Sequence, residues 1–72
     1  MNHMENNDNR TFWFNRLDAL NLGDYSSAYG LSEMDLIKLV RDLESAREIG
    51  KLDLETDGGM STLARIWNSY CA

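Results

Sequence analysis

Apolar residues recur at helical spacing along three stretches of the chain, and the clearest of these is "GLSEMDLIKLVRDLESAREIG", residues 30–50. Leu36, Leu39, Val40, Leu43 and Ala46 fall on one face of a helix. Ser32 stands at the N-cap, and Asp35 three residues later completes a capping box with Asp in place of Glu or Gln. Leu31 and Leu36 occupy the positions of a hydrophobic staple, which fixes the angle at which the chain enters the helix. Glu33 and Asp35 complement the positive end of the helix dipole, and Arg47 and Lys51 the negative end. Gly50 supplies a left-handed residue after the last turn, so the helix ends near Ile49. Met34 and Ile37 lie on an adjoining face, which widens the apolar surface beyond what one contact needs. Arg47 projects close to the stripe; either it snorkels past the core edge or the last turn bends away.

The first stretch, "TFWFNRLDALNLG", places Trp13, Leu17 and Leu20 on one helical face. Phe12 and Phe14 flank that face, so at least one of the three consecutive aromatics lies at the core edge or on the surface. Gly23 is the expected left-handed cap of this helix. Between the two helices, Asp24 can cap a short turn from Tyr25 to Tyr29 that Gly30 ends; the alternative is an ordered loop whose tyrosines pack on the helices. The third stretch begins ambiguously. "KLDLE" alternates as a half-buried strand does, and "TDGG" has turn chemistry. Met60, Leu63, Trp67 and Tyr70 then follow a helical spacing, with Ser61 or Thr62 as cap. A β-hairpin pairing "LDLE" with "TLARI" is the competing form, but "TLARI" alternates poorly, so a C-terminal helix is preferred. Residues 1–9 are rich in Asn, lack periodicity and read as a flexible tail.

Seventy-two residues allow one domain. The expected fold is mainly α: residues 10–72 form a small three- or four-helix bundle, with a short β-hairpin near residues 51–66 as the variant. So small a chain has little room to shape a deep substrate cavity, which argues against an enzyme.

Charge narrows the partners. Seven basic residues face twelve acidic ones, for a formal net charge of −5. Nucleic-acid affinity comes largely from Lys and Arg displacing counterions from phosphates, and here the overall field repels DNA, RNA and anionic membranes. A protein partner with a basic surface is favoured. Self-association as a homodimer through the surplus apolar surface is an equally open outlet. Cys71 is the single cysteine and is expected to be an exposed terminal thiol, which excludes an internal disulfide framework. The start "MNHMENNDNR" is polar and acidic rather than basic then apolar, and apolar runs are short, so neither a signal peptide nor a membrane span is expected and the cytoplasm is the default compartment.

Motifs for catalysis or cofactor binding are lacking. His3 is isolated, so neither a Ser–His nor a Cys–His pair nor a histidine metal site is expected. Neither a P-loop nor a dinucleotide-binding glycine pattern occurs, and no cofactor is expected. Asp53, Glu55, Asp57 and Gly58 resemble the opening of an EF-hand loop, but its twelfth position, which requires a bidentate Glu, holds Ala64. These carboxylates therefore read as a solvated acidic connector. From Asp42 to Asp57 six carboxylates face Arg47 and Lys51, a block that can meet a basic partner or mimic the phosphate spacing of DNA. The candidate partner-binding residues are Met34, Ile37, Arg41, Glu44, Glu48, Asp53, Glu55 and Asp57.

One resemblance points elsewhere. "YSSAYGLSEMDLIKLVRDLESAREIGKLDLE" is similar to the core of a winged helix-turn-helix: a short helix, a "GLS" turn, a longer helix, and "GKLDL" entering a strand, with "TDGG" as the wing tip. The resemblance implies a DNA-binding transcriptional regulator. The would-be recognition helix opens with Glu33 and Asp35, carboxylates where phosphate and base contacts belong, and Lys38 and Arg41 are its only early basic residues. Composition favours the other reading: a small acidic regulatory protein of inhibitor, antirepressor or adaptor type that binds another protein.

Overall fold

The computed structural model describes residues 2–71, with the side chains of residues 2–8 left out of the description. Of the tail expected at residues 1–9, the backbone from Asn2 onward belongs to the first helix, while the side chains of residues 2–8, His3 among them, lie outside the described residues. Among the described residues three α-helices follow in order: α1 (Asn2–Ala19), α2 (Glu33–Glu48) and α3 (Asp57–Cys71), with a short 3-10 helix at Ser26–Gly30 between the first two. The fold is a small helical bundle. Among the described residues there is no strand, so residues 51–66 do not form the hairpin.

α2 is the central helix and packs against both α1 and α3. Leu36, Leu39, Val40 and Leu43 are fully buried, each worth about 1.5–3 kcal/mol in transfer from water. Leu17 reaches them from α1, Leu20 from the turn just beyond it, Ala28 from the 3-10 helix, and Leu52 from the connector after α2. The start of α2 is the one the sequence implies: the Ser32 hydroxyl accepts the Asp35 N–H at 3.2 Å, and Leu31 is half-buried against the core beside Leu36. At its other end Gly50 takes φ 78°. The Lys51 N–H reaches the Ala46 carbonyl at 2.9 Å and the Gly50 N–H the Arg47 carbonyl at 3.0 Å, the paired bonds of a Schellman cap.

Three boundaries differ from expectation: α1 starts at Asn2, ahead of the stretch from Thr11 read as the first helix, and the end of α1 and the start of α3 are displaced as well. α1 ends at Ala19, before Gly23, because Asn21 takes the left-handed conformation at φ 59°. Asparagine tolerates that region better than other residues with a Cβ. Gly23, at φ 95°, serves the loop beyond. The 3-10 helix is preceded by the expected acid, with the Asp24 carboxylate accepting the Ser26 N–H at 2.9 Å.

α3 begins at Asp57, four residues before Ser61. Thr56 is its cap: the Thr56 hydroxyl accepts the Gly59 N–H at 3.0 Å and donates to the Asp53 carbonyl at 2.9 Å. "TDGG" is thus a helix start. Thr62, the other expected cap, instead donates its hydroxyl to the Gly58 carbonyl inside the first turns. Gly59 is buried against the connector, and a Cβ there would overlap the Asp53 backbone. Its missing side chain lets α3 dock closely enough for Leu63, Ile66 and Tyr70 to meet the core.

The two adjacent glycines should therefore respond oppositely to alanine. Gly59→Ala is expected to lower stability by at least about 2 kcal/mol, as overpacking against backbone does. Gly58 has open space around its α-carbon, so Gly58→Ala should raise stability by about 0.5–1 kcal/mol through helix propensity. Urea denaturation of both variants measures the difference.

Candidate interaction site

The residues singled out on α2 form one stripe. Met34, Ile37, Arg41, Glu44 and Glu48 succeed each other by three and four positions along the helix, which stacks them on a single face. The N-terminal half of that stripe is open. Met34 is 66 % exposed, Arg41 is exposed and Ile37 half-buried. With Glu33 and Lys38 they line a shallow hollow of about 380 Å³.

The C-terminal half is engaged by α1. Arg16 donates from Nε to Glu44 Oε2 at 2.9 Å and from Nη2 to Oε1. The same guanidinium lies 4.7 Å from the Trp13 ring centroid and 5.5 Å from that of Phe12. Glu44 is therefore a half-buried strut between α1 and α2, its charge met within the molecule. Glu48 remains exposed, beside Arg47 in an adjoining hollow. Arg47 itself is exposed, so it leaves the core edge rather than lying along it.

The three connector carboxylates sit away from the α2 stripe, and all are exposed. Asp53 Oδ1 accepts the Glu55 N–H at 3.0 Å, and the Asp53 carbonyl accepts the Thr56 N–H at 3.1 Å. These bonds serve the turn. Among the described residues no three His, Cys, Asp or Glu side chains are grouped to hold a metal ion.

A second surface was not visible in the sequence. α3 packs Leu63, Ile66, Trp67 and Tyr70, each half-buried, against the core and leaves Met60 and Ala64 exposed. With Leu22 and Leu54 opposite, Met60, Leu63, Ala64 and Trp67 line an apolar groove of about 440 Å³. The helical spacing of Met60, Leu63, Trp67 and Tyr70 was the available signal, but spacing alone does not tell which part of a wide stripe lacks a cover.

Phe14 of α1 clusters with Tyr29 of the 3-10 helix and with Tyr25 just before it. Phe14 and Tyr29 have centroids 5.0 Å apart, and Tyr25 and Tyr29 6.0 Å. Arg10 lies 5.4 Å from the Phe14 centroid and donates to the Leu31 carbonyl at 3.1 Å, tying α1 to the turn before α2. As the three consecutive aromatics require, one is outside the core: Phe12 is 53 % exposed.

Among the described residues four titratable groups are shifted. The Ser26 N–H bonded to Asp24 holds its carboxyl below the ordinary value. Tyr25 is pushed up by desolvation and by the nearby Asp18 carboxylate. Tyr70 is raised chiefly by its 2.5 Å hydrogen bond to Asp42, which links α3 to α2. Cys71 corrects the expectation of an exposed thiol. It is half-buried against the core, and burial raises its pKa, which leaves less of the reactive thiolate at neutral pH.

The helix-turn-helix element of the resemblance corresponds to the 3-10 helix, Ser32 and α2, but the segment that would form the wing is the connector and α3. No protein-family model, no curated protein and no solved structure matches the chain. No helix among the described residues is long and apolar enough to cross a membrane.

Two measurements check this geometry. A double-mutant cycle of Arg16→Ala and Glu44→Ala should give a coupling of about 0.5–1 kcal/mol that shrinks with added salt, as partly exposed ion pairs do. Because the Tyr70 hydroxyl titrates above its ordinary value of 10.0, its contribution is complete below that pH and is lost as pH rises through the folded value. Thermal melts from pH 9 upward should fall less steeply for Tyr70→Phe than for the natural chain, with Tyr25 accounting for part of the remaining slope.

Proposed function

We propose that this chain is a non-enzymatic regulatory protein that acts by binding another protein, of the inhibitor, antirepressor or adaptor type. One observation carries the reading: Met34, Ile37 and Arg41 are gathered in one uncovered hollow on the outer face of the central helix. Met and Arg are residue types enriched where proteins meet. Anchored on the helix with the best-buried stripe, these side chains stand on a firm base. The net charge of −5 favours a partner with a basic surface and opposes close approach to nucleic acid. The exposed carboxylates of Glu48, Asp53, Glu55 and Asp57 add to that preference.

The test uses exposed positions that leave the core alone. Immobilised natural chain should retain a discrete protein from extracts of its source cells, and Met34→Glu with Arg41→Glu should reduce that retention by at least about tenfold, as loss of an interface anchor does. Circular dichroism checks that the variant stays folded. Light scattering on the eluted chain reads whether the retained protein is a second copy. Salt-dependent binding of the natural chain to nonspecific duplex DNA at micromolar concentration would replace this reading with a DNA-binding one.

A further inference from the structure

The apolar groove between α3 and the loop after α1 is uncovered, and the charged residues close to it in sequence are mostly acidic. Its floor and walls are Leu22, Leu54, Leu63, Ala64 and Trp67, with Met60, 57 % exposed, at one end. Asp24 stands in its lining and is held ionised by the Ser26 N–H. Leu54 is bracketed in sequence by Asp53 and Glu55, and Asp57 lies three positions before Met60; all three carboxylates are exposed. Lys51 and Arg65 are the basic residues nearest in sequence to these groove-lining positions, so carboxylates predominate around the groove.

Resting on the reading of the chain as a protein-binding module, we infer that this groove receives an amphipathic helical segment of a partner whose apolar face is flanked by Lys or Arg. An apolar trough with a carboxylate in its lining is complementary to such a helix on both counts: side chains at every third and fourth position fill the trough, and flanking ammonium or guanidinium groups meet Asp24 in the lining and the exposed carboxylates that neighbour Leu54 in the chain. A second copy of this chain is the poorer occupant. It would bring the same carboxylates and a net charge of −5 to the same edges, and like charges brought together across an interface oppose docking.

Nitrogen-15 NMR of the full chain, titrated with a synthetic amphipathic Leu/Lys helix of about 14 residues, tests the assignment, since such helices are the minimal form of this recognition mode. Saturable shifts are expected at Leu22, Leu54, the amides from Met60 to Asn68 and the Trp67 indole N–H, with the Trp13 indole as an internal reference. Ala64→Arg, on an exposed helix position, should weaken binding by at least about tenfold, while Ser45→Arg, which makes the same charge change at an exposed position of α2, should leave it within about twofold. The Leu/Glu analogue of the peptide should bind at least about tenfold more weakly, because the attraction becomes repulsion.

Equal binding of the Leu/Glu analogue, or no saturable binding of the Leu/Lys peptide, overturns the inference. So does a shift pattern centred on Met34, Ile37 and Arg41, which would leave the proposed protein-binding function standing on the other face. Groove signals that broaden with protein concentration alone would make a second copy the occupant and likewise overturn it.

Discussion

The side chains of Leu36, Leu39, Val40 and Leu43 are fully withdrawn from water because α2 is closed on from two sides, and the rest of the molecule is arranged around that requirement. One neighbouring helix covers one flank of such a stripe. α1 and the turn after it supply Leu17 and Leu20, the 3-10 helix inserts Ala28, the connector adds Leu52, and α3 completes the enclosure with half-buried Leu63, Ile66, Trp67 and Tyr70. Polar bonds fix each neighbour against the central helix: Arg16 to Glu44 for α1, Tyr70 to Asp42 for α3. A chain of this length buries only about 60 % of the surface its unfolded form exposes. Met60, Trp67 and Met34 are left incompletely covered. The two candidate surfaces follow from that shortage.

How much of this was legible depends on how local the cause is. α2 could be read almost whole, since Ser32, Leu31, the stripe and Gly50 all act within a few residues of where they stand. The end of α1 was misplaced because two residues compete for the left-handed position, and Asn21 takes it before the chain reaches Gly23. The start of α3 was misplaced for a different reason. Adjacent glycines are turn residues by their own chemistry, and what makes them helical here is tertiary: the backbone of Asp53 occupies the space a side chain on Gly59 would need. Thr56 then caps the helix from a position the hydrophobic pattern does not mark.

The candidate site divides along the same line. Met34, Ile37 and Arg41 share a hollow because they share a helix face, which is a property of spacing. Glu44 is on that face too, yet its role is set by Arg16, whose approach depends on how α1 crosses α2. The groove along α3 depends on a loop from one part of the chain meeting a helix from another, so Leu22 and Leu54 gain their significance only in three dimensions. Cys71 followed the same rule: adjacency to the C-terminus suggests exposure, and docking of the last turn of α3 half-buries it.

The connector between α2 and α3 has a consequence for recognition. Gly50 is bonded back into α2, Asp53 is bonded forward to Glu55 and Thr56, and Gly59 is pressed against Asp53. The acidic segment is therefore a bracket rather than a tether. A flexible acidic loop would have to be frozen by its partner, at a cost of about 1–2 kcal/mol for each backbone residue fixed. Here that ordering accompanies folding, so Asp53, Glu55 and Asp57 present their charges from a preorganised backbone, and a visitor meets a template already set.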